Sequence, residues 1–250
     1  MTAEIVERVR RSSRYREVDP ALVERLATEE LPKARTTDDA VKRVKRRLHQ
    51  AFGAFRGVAT SHRDAEAAMR SHASTRERLP YLDEFYAGIW KLTGVPRSVL
   101  DLGCGLNPLA LPRMGLDPSA RYIAIDADER PLATVGDFLH ASGHPHEIRT
   151  LDLVSAVPDD EADVALLLKL VTTLDRQDGL APARLLRGLR TTNAVVSFTT
   201  RSLGGRGRGM ERTNRERLDR LVAEVGRVVA VAEASVPGEL VFVLTLQTDD

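Results

Sequence analysis

Ser98-Val99-Leu100-Asp101-Leu102-Gly103-Cys104-Gly105-Leu106-Asn107-Pro108 reads as a strand, a glycine turn and a helix start, and this stretch decides the class of the fold. Glycines at such a turn remove Cβ atoms, so a ligand can lie against the backbone. Outward from it, Val99 to Leu102, Tyr122 to Ile125, Ile148 to Leu151, Val164 to Leu168, Val195 to Phe198, Val228 to Ala232 and Leu240 to Leu246 read as strands, with helical segments between the earlier ones. Strand and helix in alternation predict an α/β protein with a doubly wound, Rossmann-like parallel sheet. The last two runs are separated only by Glu233 to Glu239, which carries the turn signal Pro237-Gly238. They read as an antiparallel hairpin at one edge. The third glycine of a dinucleotide fingerprint would fall at Pro108, where a dehydrogenase brings helix and strand together around a pyrophosphate. The spacing disfavours a nicotinamide cofactor.

Acidic residues recur where successive strands end. Asp101 closes the first strand; Asp126 ends Ile123-Ala124-Ile125-Asp126, 21 residues after Gly105; Asp152 follows the third in Thr150-Leu151-Asp152-Leu153. The second position is the usual place for a carboxylate that accepts both ribose hydroxyls. Aspartates also cap strand ends for structural reasons alone, so no single one identifies a ligand. Three in register resemble the S-adenosylmethionine-dependent methyltransferases. In those enzymes the first acid and the glycine backbone hold the methionine and ribose portions, and the third acid bonds the adenine amine.

Composition narrows the class further. The 250 residues are 42% hydrophobic and 29% charged, which excludes disorder and fibre. No window approaches the roughly 18 uninterrupted apolar residues of a spanning helix, and MTAEIVERVRRSSRYR lacks the apolar core of a signal peptide. The expectation is a cytoplasmic chain with no membrane contact. Cys104 is the single cysteine, which excludes an internal disulfide framework and any CxxC metal cluster. His140, His144 and His146 form the histidine cluster, and no convergent ligand set accompanies them except Glu147. They read as a loop before the third strand, and no metal is expected.

The small net charge hides a polarity along the chain. Through residue 75 there are 16 basic and 11 acidic residues; beyond it there are 21 and 25. Lys42, Arg43, Lys45, Arg46, Arg47, Arg56 and Arg63 follow one another with no acid between Asp39 and Asp64. Such density points to a polyanion partner, against the plainer reading of a solvated helix face. The first 95 residues show helices and no strands. Asp19-Pro20 and Thr36-Thr37-Asp38-Asp39 are helix starts. Val41, Val44, Leu48, Ala51, Phe52 and Phe55 then recur at three- and four-residue intervals, leaving most cations on the opposite face. Leu79, Leu82, Phe85, Tyr86, Ile89 and Trp90 repeat at the same spacing and read as core.

Longer blocks narrow the resemblance. Val41-Lys42-Arg43-Val44-Lys45-Arg46-Arg47-Leu48-His49 leads to Gly53-Ala54-Phe55, then His72-Ala73-Ser74-Thr75-Arg76-Glu77-Arg78-Leu79-Pro80 with Phe85-Tyr86. Later come Gly105-Leu106-Asn107-Pro108-Leu109-Ala110, Leu166-Leu167-Leu168-Lys169 and Thr200-Arg201-Ser202-Leu203-Gly204. Over nearly its whole length the chain resembles the aminoglycoside-resistance 16S ribosomal RNA methyltransferases that modify N7 of guanine 1405. It departs from their pattern at Thr172 and at Thr199, where prolines are expected nearby.

That resemblance implies a helical rRNA-docking extension at residues 1–75 and a methyltransferase domain at 76–250. It implies S-adenosylmethionine contacts from Phe55, His72, Ala73, Ser74 and Arg78 on the helical side, and from Gly103, Asp126, Asp152, Leu153, Leu168 and Gln177 on the sheet side. A guanidinium at Arg78 suits a carboxylate because it pairs bidentately. Guanine N7 carries a lone pair and no proton, so methylation needs no general base and rests on holding the reacting atoms in line. Lys169, at the end of the fourth strand, is the expected positioning residue, donating to guanine O6 or to a phosphate. Cys104 is not expected to act as a nucleophile.

The implied partner is 16S rRNA in the assembled 30S subunit. Its target base would be flipped out of its stack. Docking would draw on Lys42, Arg43, Lys45, Arg46 and Arg47 and on Arg201, Arg206 and Arg208, whose Gly-rich surroundings read as a loop that orders on RNA. Aromatic residues are only 4% of the chain, so recognition should rest on phosphates and folded shape. Two other readings stay open at this point: methylation of adenine N1 in the same decoding region, and a non-catalytic rRNA-binding adaptor that kept the fold.

Overall fold

The protein is described by a computed structural model over residues 1–52, 64–200 and 209–247. All seven apolar runs form strands: β1 (Ser98–Leu102), β2 (Arg121–Asp126), β3 (His146–Thr150), β4 (Glu161–Leu168), β5 (Arg190–Thr199), β6 (Val228–Ala234) and β7 (Glu239–Leu246). They make one sheet in the order β3-β2-β1-β4-β5-β7-β6. Pairing is parallel from β3 through β5 and antiparallel for β7 and β6. The hairpin lies at the edge as expected, but β7 is inserted between β5 and β6. Burial explains the order: β7 is apolar on both faces, whereas β6 leaves Val229 63% and Val231 47% exposed.

Helices cover both faces. Three of them, α1 (Thr2–Arg10), α2 (Pro20–Glu30) and α3 (Thr37–Phe52), form the extension; α4 (Ala65–Ser71) and α5 (Ala73–Arg78) lead to α6 (Leu82–Thr93). On one face α6 and α7 (Glu129–Ser142) bury Phe85, Ile89, Leu132 and Val135 against Val99, Tyr122, Val164 and Leu166. On the other, α8 (Val171–Asp175), α9 (Ala181–Gly188) and α10 (Met210–Val225) bury Leu174, Leu185 and Leu221 against Leu100, Ile123, Ala165 and Leu167. The alternation along β1 and β4 is the period-two pattern of a strand buried on both sides. Among the described residues no helix is long and apolar enough to cross a membrane.

Two crossovers differ from simple strand-helix alternation. After β1 the chain makes a 3-10 helix, Asn107–Arg113. Pro112 within it lacks the N–H an α-helical bond would need. The β3-to-β4 crossover carries no helix, because the Asp152 side chain accepts from Val154 N (3.1 Å) and Ser155 Oγ (3.0 Å) and closes a turn there.

The extension has its own core, built from Ile5, Val9, Leu22, Leu26, Val44 and Leu48. Its helices start where the caps are: Asp19 accepts from Ala21 N (2.9 Å), with Pro20 in the first turn, and Thr36 Oγ1 accepts from Asp39 N (3.2 Å). It is tied to the exit of β2 through backbone. Asp19 N donates to Ala127 O and Glu129 N to Glu17 O, both at 2.8 Å, beside an antiparallel bridge between Val18 and Asp128. Ala68 and Met69 already pack with the sheet, and α5 spans residues 75 and 76.

The turn after β1 holds Gly103 at φ +63° and Gly105 at φ +50°. A Cβ on Gly103 would lie 2.7 Å from Leu170 Cδ1, and one on Gly105 3.1 Å from His72 Cε1. Gly103→Ala is therefore expected to cost at least about 1–2 kcal/mol through its backbone alone. Equilibrium urea unfolding reads this directly, and stability within a few tenths of a kcal/mol of wild type would contradict it.

Candidate functional site

The C-terminal ends of β1, β2 and β4 open into a cavity of about 230 Å³. From the sheet side Gly103, Asp126, Asp152, Leu153, Leu168 and Gln177 line it; from the helical side His72 and Ser74 do. Lys169 stands on its wall, and Leu22 of α2 and Ala51 of α3 close it over. Ligands bind at this edge of doubly wound sheets, where the crossovers from β1 diverge to opposite faces.

Asp126 is anchored by backbone. It accepts from Gly105 N (2.8 Å) and Asp128 N (3.0 Å). Burial lifts its pKa to about 6, while those N–H donors pull the other way. Across the cavity, His72 Nδ1 is 2.9 Å from Ser74 Oγ. Burial first, then the charges of Lys169 and Arg78, lower the His72 pKa to about 4. The imidazole is neutral at physiological pH.

Behind the turn lies a buried polar hub. Asn107 Nδ2 donates to Asp101 (2.9 Å), as does the Tyr122 hydroxyl (2.7 Å), and the Tyr86 hydroxyl donates to Asn107 Oδ1 (2.7 Å). Burial raises the Asp101 pKa to about 6 against those two bonds. Asp101 is not on the cavity wall; it holds the turn from beneath. Arg78 belongs to the same hub. Its side chain is 3% exposed, and Nε and Nη2 donate to the two oxygens of Glu239 at 3.0 and 2.9 Å, while Nη1 donates to Asn107 (2.9 Å). The fork expected to face a ligand carboxylate is thus directed at a protein carboxylate, and Arg78 does not line the cavity.

Lys169 follows β4 with φ +58°, a left-handed conformation unusual for a side-chain-bearing residue. Its N–H is within 3.1 Å of both the Ser197 carbonyl and hydroxyl oxygens. Its Nζ pairs with Glu77 (2.5 Å) and Glu239 (3.3 Å). Burial pushes the Glu239 carboxyl up, but Arg78 and Lys169 outweigh it and hold the group below its ordinary value. Glu239 was not legible as a site residue, because in sequence it only ends the Pro237-Gly238 turn.

The basic helix divides. Lys42 and Arg46 on α3 are exposed and Lys45 is half-buried. Arg43 instead pairs with Asp39 (3.1 Å) and Glu30 (3.7 Å). Arg47 pairs with Glu30 (2.9 Å) and Glu29 (3.3 Å) and donates to the Gln177 carbonyl (3.3 Å). Two of the five cations therefore bind the extension together. Phe55, Arg201, Arg206 and Arg208, and the side chain of Ala73, lie outside the described residues. Among the described residues no three histidine, cysteine or acidic side chains assemble to hold a metal; the His146 ring Nδ1 lies 2.7 Å from the His144 carbonyl.

The model of the FmrO ribosomal RNA methyltransferase family matches residues 56–243. A protein of Frankia casuarinae named 16S rRNA (guanine(1405)-N(7))-methyltransferase is 41% identical, over 95% of this chain and 91% of its own length. The crystal structure of the 16S rRNA methyltransferase RmtF in complex with S-adenosyl-L-homocysteine superposes with a TM-score of 0.84 at 34% identity, covering 98% of each chain. The 16S rRNA methylase RmtB gives the same TM-score at 26% identity, covering 99% of each.

The Glu239 hub yields a stability prediction. Glu239→Ala leaves the Arg78 guanidinium buried without its carboxylate and should cost about 3–5 kcal/mol. Pairing Glu239→Leu with Arg78→Met should recover most of that loss. Urea unfolding of the three chains is the check, and a single variant within about 1 kcal/mol of wild type would contradict it.

Proposed function

This chain belongs to the FmrO ribosomal RNA methyltransferase family, and on that premise we propose that it transfers a methyl group from S-adenosylmethionine to N7 of guanine 1405 of 16S rRNA. The substrate is the assembled 30S subunit in the cytoplasm, and the consequence is aminoglycoside resistance. The observation that carries the reading is the cavity at the strand ends with Asp126 after β2 and Asp152 after β3 on its wall, in a chain 41% identical to a named guanine-N7 methyltransferase.

The residues present suit the cofactor. Asp126 offers a carboxylate already oriented by two backbone N–H groups, as ribose hydroxyls require. Gly103 and Gly105 leave a cradle that a Cβ would fill. Asp152 supplies an acceptor for the adenine amine, and Leu153 and Leu168 supply apolar walls for the ring. When bound, the sulfonium supplies an electrophilic methyl group. His72, neutral beside Ser74, adds no positive charge to that wall.

Because N7 has a lone pair and no proton, the chain's task is alignment. Lys169 is the residue proposed to position the base, through O6 or a phosphate. Its left-handed backbone is held by Ser197, and its Nζ, paired with Glu77 and Glu239 in the free protein, would exchange a carboxylate for the base or the phosphate. Docking is assigned to the extension at residues 1–75, with Lys42, Lys45 and Arg46 reaching phosphates, and to Arg201, Arg206 and Arg208. The cost of flipping the base, a few kcal/mol, is offset by these contacts.

Mass-spectrometric mapping of 16S rRNA from treated 30S subunits should find 7-methylguanine at 1405; a methyl on adenine, or none, overturns the reading. Replacing Lys42, Lys45 and Arg46 together by alanine should weaken 30S binding and flatten its salt dependence, with S-adenosylhomocysteine affinity retained. Equal loss of both affinities would contradict the division of labour. Asp126 titrates near pH 6 in the free protein and accepts hydroxyls as the carboxylate. S-adenosylhomocysteine affinity should therefore be level above about pH 7 and fall by up to about tenfold per unit below pH 6. Calorimetry at several pH values tests this, and a profile unchanged down to pH 5 would refute it.

A further inference from the structure

The extension reaches the Asp152 carboxylate of the cavity wall through the Arg25 guanidinium. On α2, Leu22, Val23, Leu26 and Ala27 belong to the extension's own core, and Arg25 points across to the sheet. Its Nε donates to Oδ2 of Asp152 at 2.6 Å and its Nη2 approaches Oδ1 at 3.3 Å. Nη2 also donates to Gln177 Oε1 (3.0 Å), and Nη1 donates to Glu29 (2.9 Å). The Arg25 side chain is 15% exposed and that of Asp152 1%. Burial lowers the pKa of Arg25, but the bonds to Asp152 and Glu29 outweigh it and leave the guanidinium above its ordinary value.

A carboxylate so far removed from water is costly unless it is paired. Its remaining donors, Val154 N and Ser155 Oγ, are neutral and come from its own loop. The cation arrives from another module, 127 residues away in sequence. An arginine fork fixes a carboxylate in plane as well as in charge.

We propose that Arg25 is a positioning residue of the cofactor site: its fork holds Asp152 in place while the Ser155 hydroxyl turns to the Asp152 carbonyl it already reaches at 3.2 Å, freeing one carboxylate acceptor for the exocyclic amine of adenine, which makes Arg25 a determinant of selectivity for a 6-aminopurine. This rests on the reading of the cavity as the S-adenosylmethionine site. An acceptor held in place rewards the N–H of adenine and repels the oxygen of a 6-oxopurine. A carboxylate free to rotate discriminates less. Gln177, whose side chain also accepts from Arg25 and whose carbonyl accepts from Arg47, is oriented from the same two helices.

The test compares the full-length wild type with Arg25→Met, which keeps the length of the stem and removes the fork, by calorimetric titration with S-adenosylhomocysteine and S-inosylhomocysteine. Wild type should prefer the adenosyl compound. Arg25→Met should weaken S-adenosylhomocysteine about tenfold or more and change the inosyl analogue by less than about threefold, so the preference collapses. In methylation of 30S subunits its KM for S-adenosylmethionine should rise by a larger factor than kcat falls. Arg25→Lys keeps a charge at the buried carboxylate and should give an intermediate preference even where the methionine variant does not fold. Equal weakening of both ligands, wild-type preference in the lysine variant, or a wild type blind to the difference would each overturn the proposal. A wild type that binds neither ligand would overturn the reading of the cavity itself, which separates the two failures.

Discussion

Three carboxylates stand at adjacent strand ends, Asp101 and Asp152 buried and Asp126 half-buried on the cavity wall; each must find donors, and the way each does so shapes a different part of the molecule. Asp101 takes Asn107 and Tyr122, and thereby fixes the 3-10 segment behind the glycine turn. Asp126 takes the backbone of Gly105 and of Asp128, which ties that turn to the β2 exit where the extension is attached. Asp152 takes its own loop and then Arg25 from α2. The cavity is what remains between these solutions.

The extension is consequently a structural part of the cavity as well as a separate bundle. It has a separate core, but Leu22, Ala51 and Arg25 make it part of the cavity wall, and Arg47 holds the loop that carries Gln177. Of the helices that close the cavity, α3 also carries Lys42, Lys45 and Arg46.

Much of this was legible in the sequence, for definite physical reasons. The central strands announced themselves because strands buried on both faces are nearly continuous apolar runs, as in Val164 to Leu168, whereas the edge strands β3 and β6 are largely exposed and were legible from their place in the alternation and the hairpin. The turn was legible because two glycines follow an apolar strand, and Asp126 and Asp152 were legible as acids at strand ends, which the structure brings to one cavity wall. The fate of long charged side chains was not. Arg25 stands in Leu22-Val23-Glu24-Arg25-Leu26 as an ordinary helix cation, and its partner is 127 residues on. Arg78 was matched with a ligand carboxylate, yet its fork meets Glu239, 161 residues away. Arg43 and Arg47 lie in the basic run but close onto Glu29, Glu30 and Asp39. Local pattern determines which face a residue occupies; it does not determine which distant acid will be there to meet it.

In the proposed binding mode one nucleoside is gripped between the β2-end and β3-end acids, beneath a wall donated by the helical extension. A crystal structure with S-adenosylhomocysteine measures it most directly. The ribose is expected on Asp126 and the purine edge at Asp152, with Leu22 and Ala51 closing over it. Density for the ligand anywhere outside that crevice would contradict it.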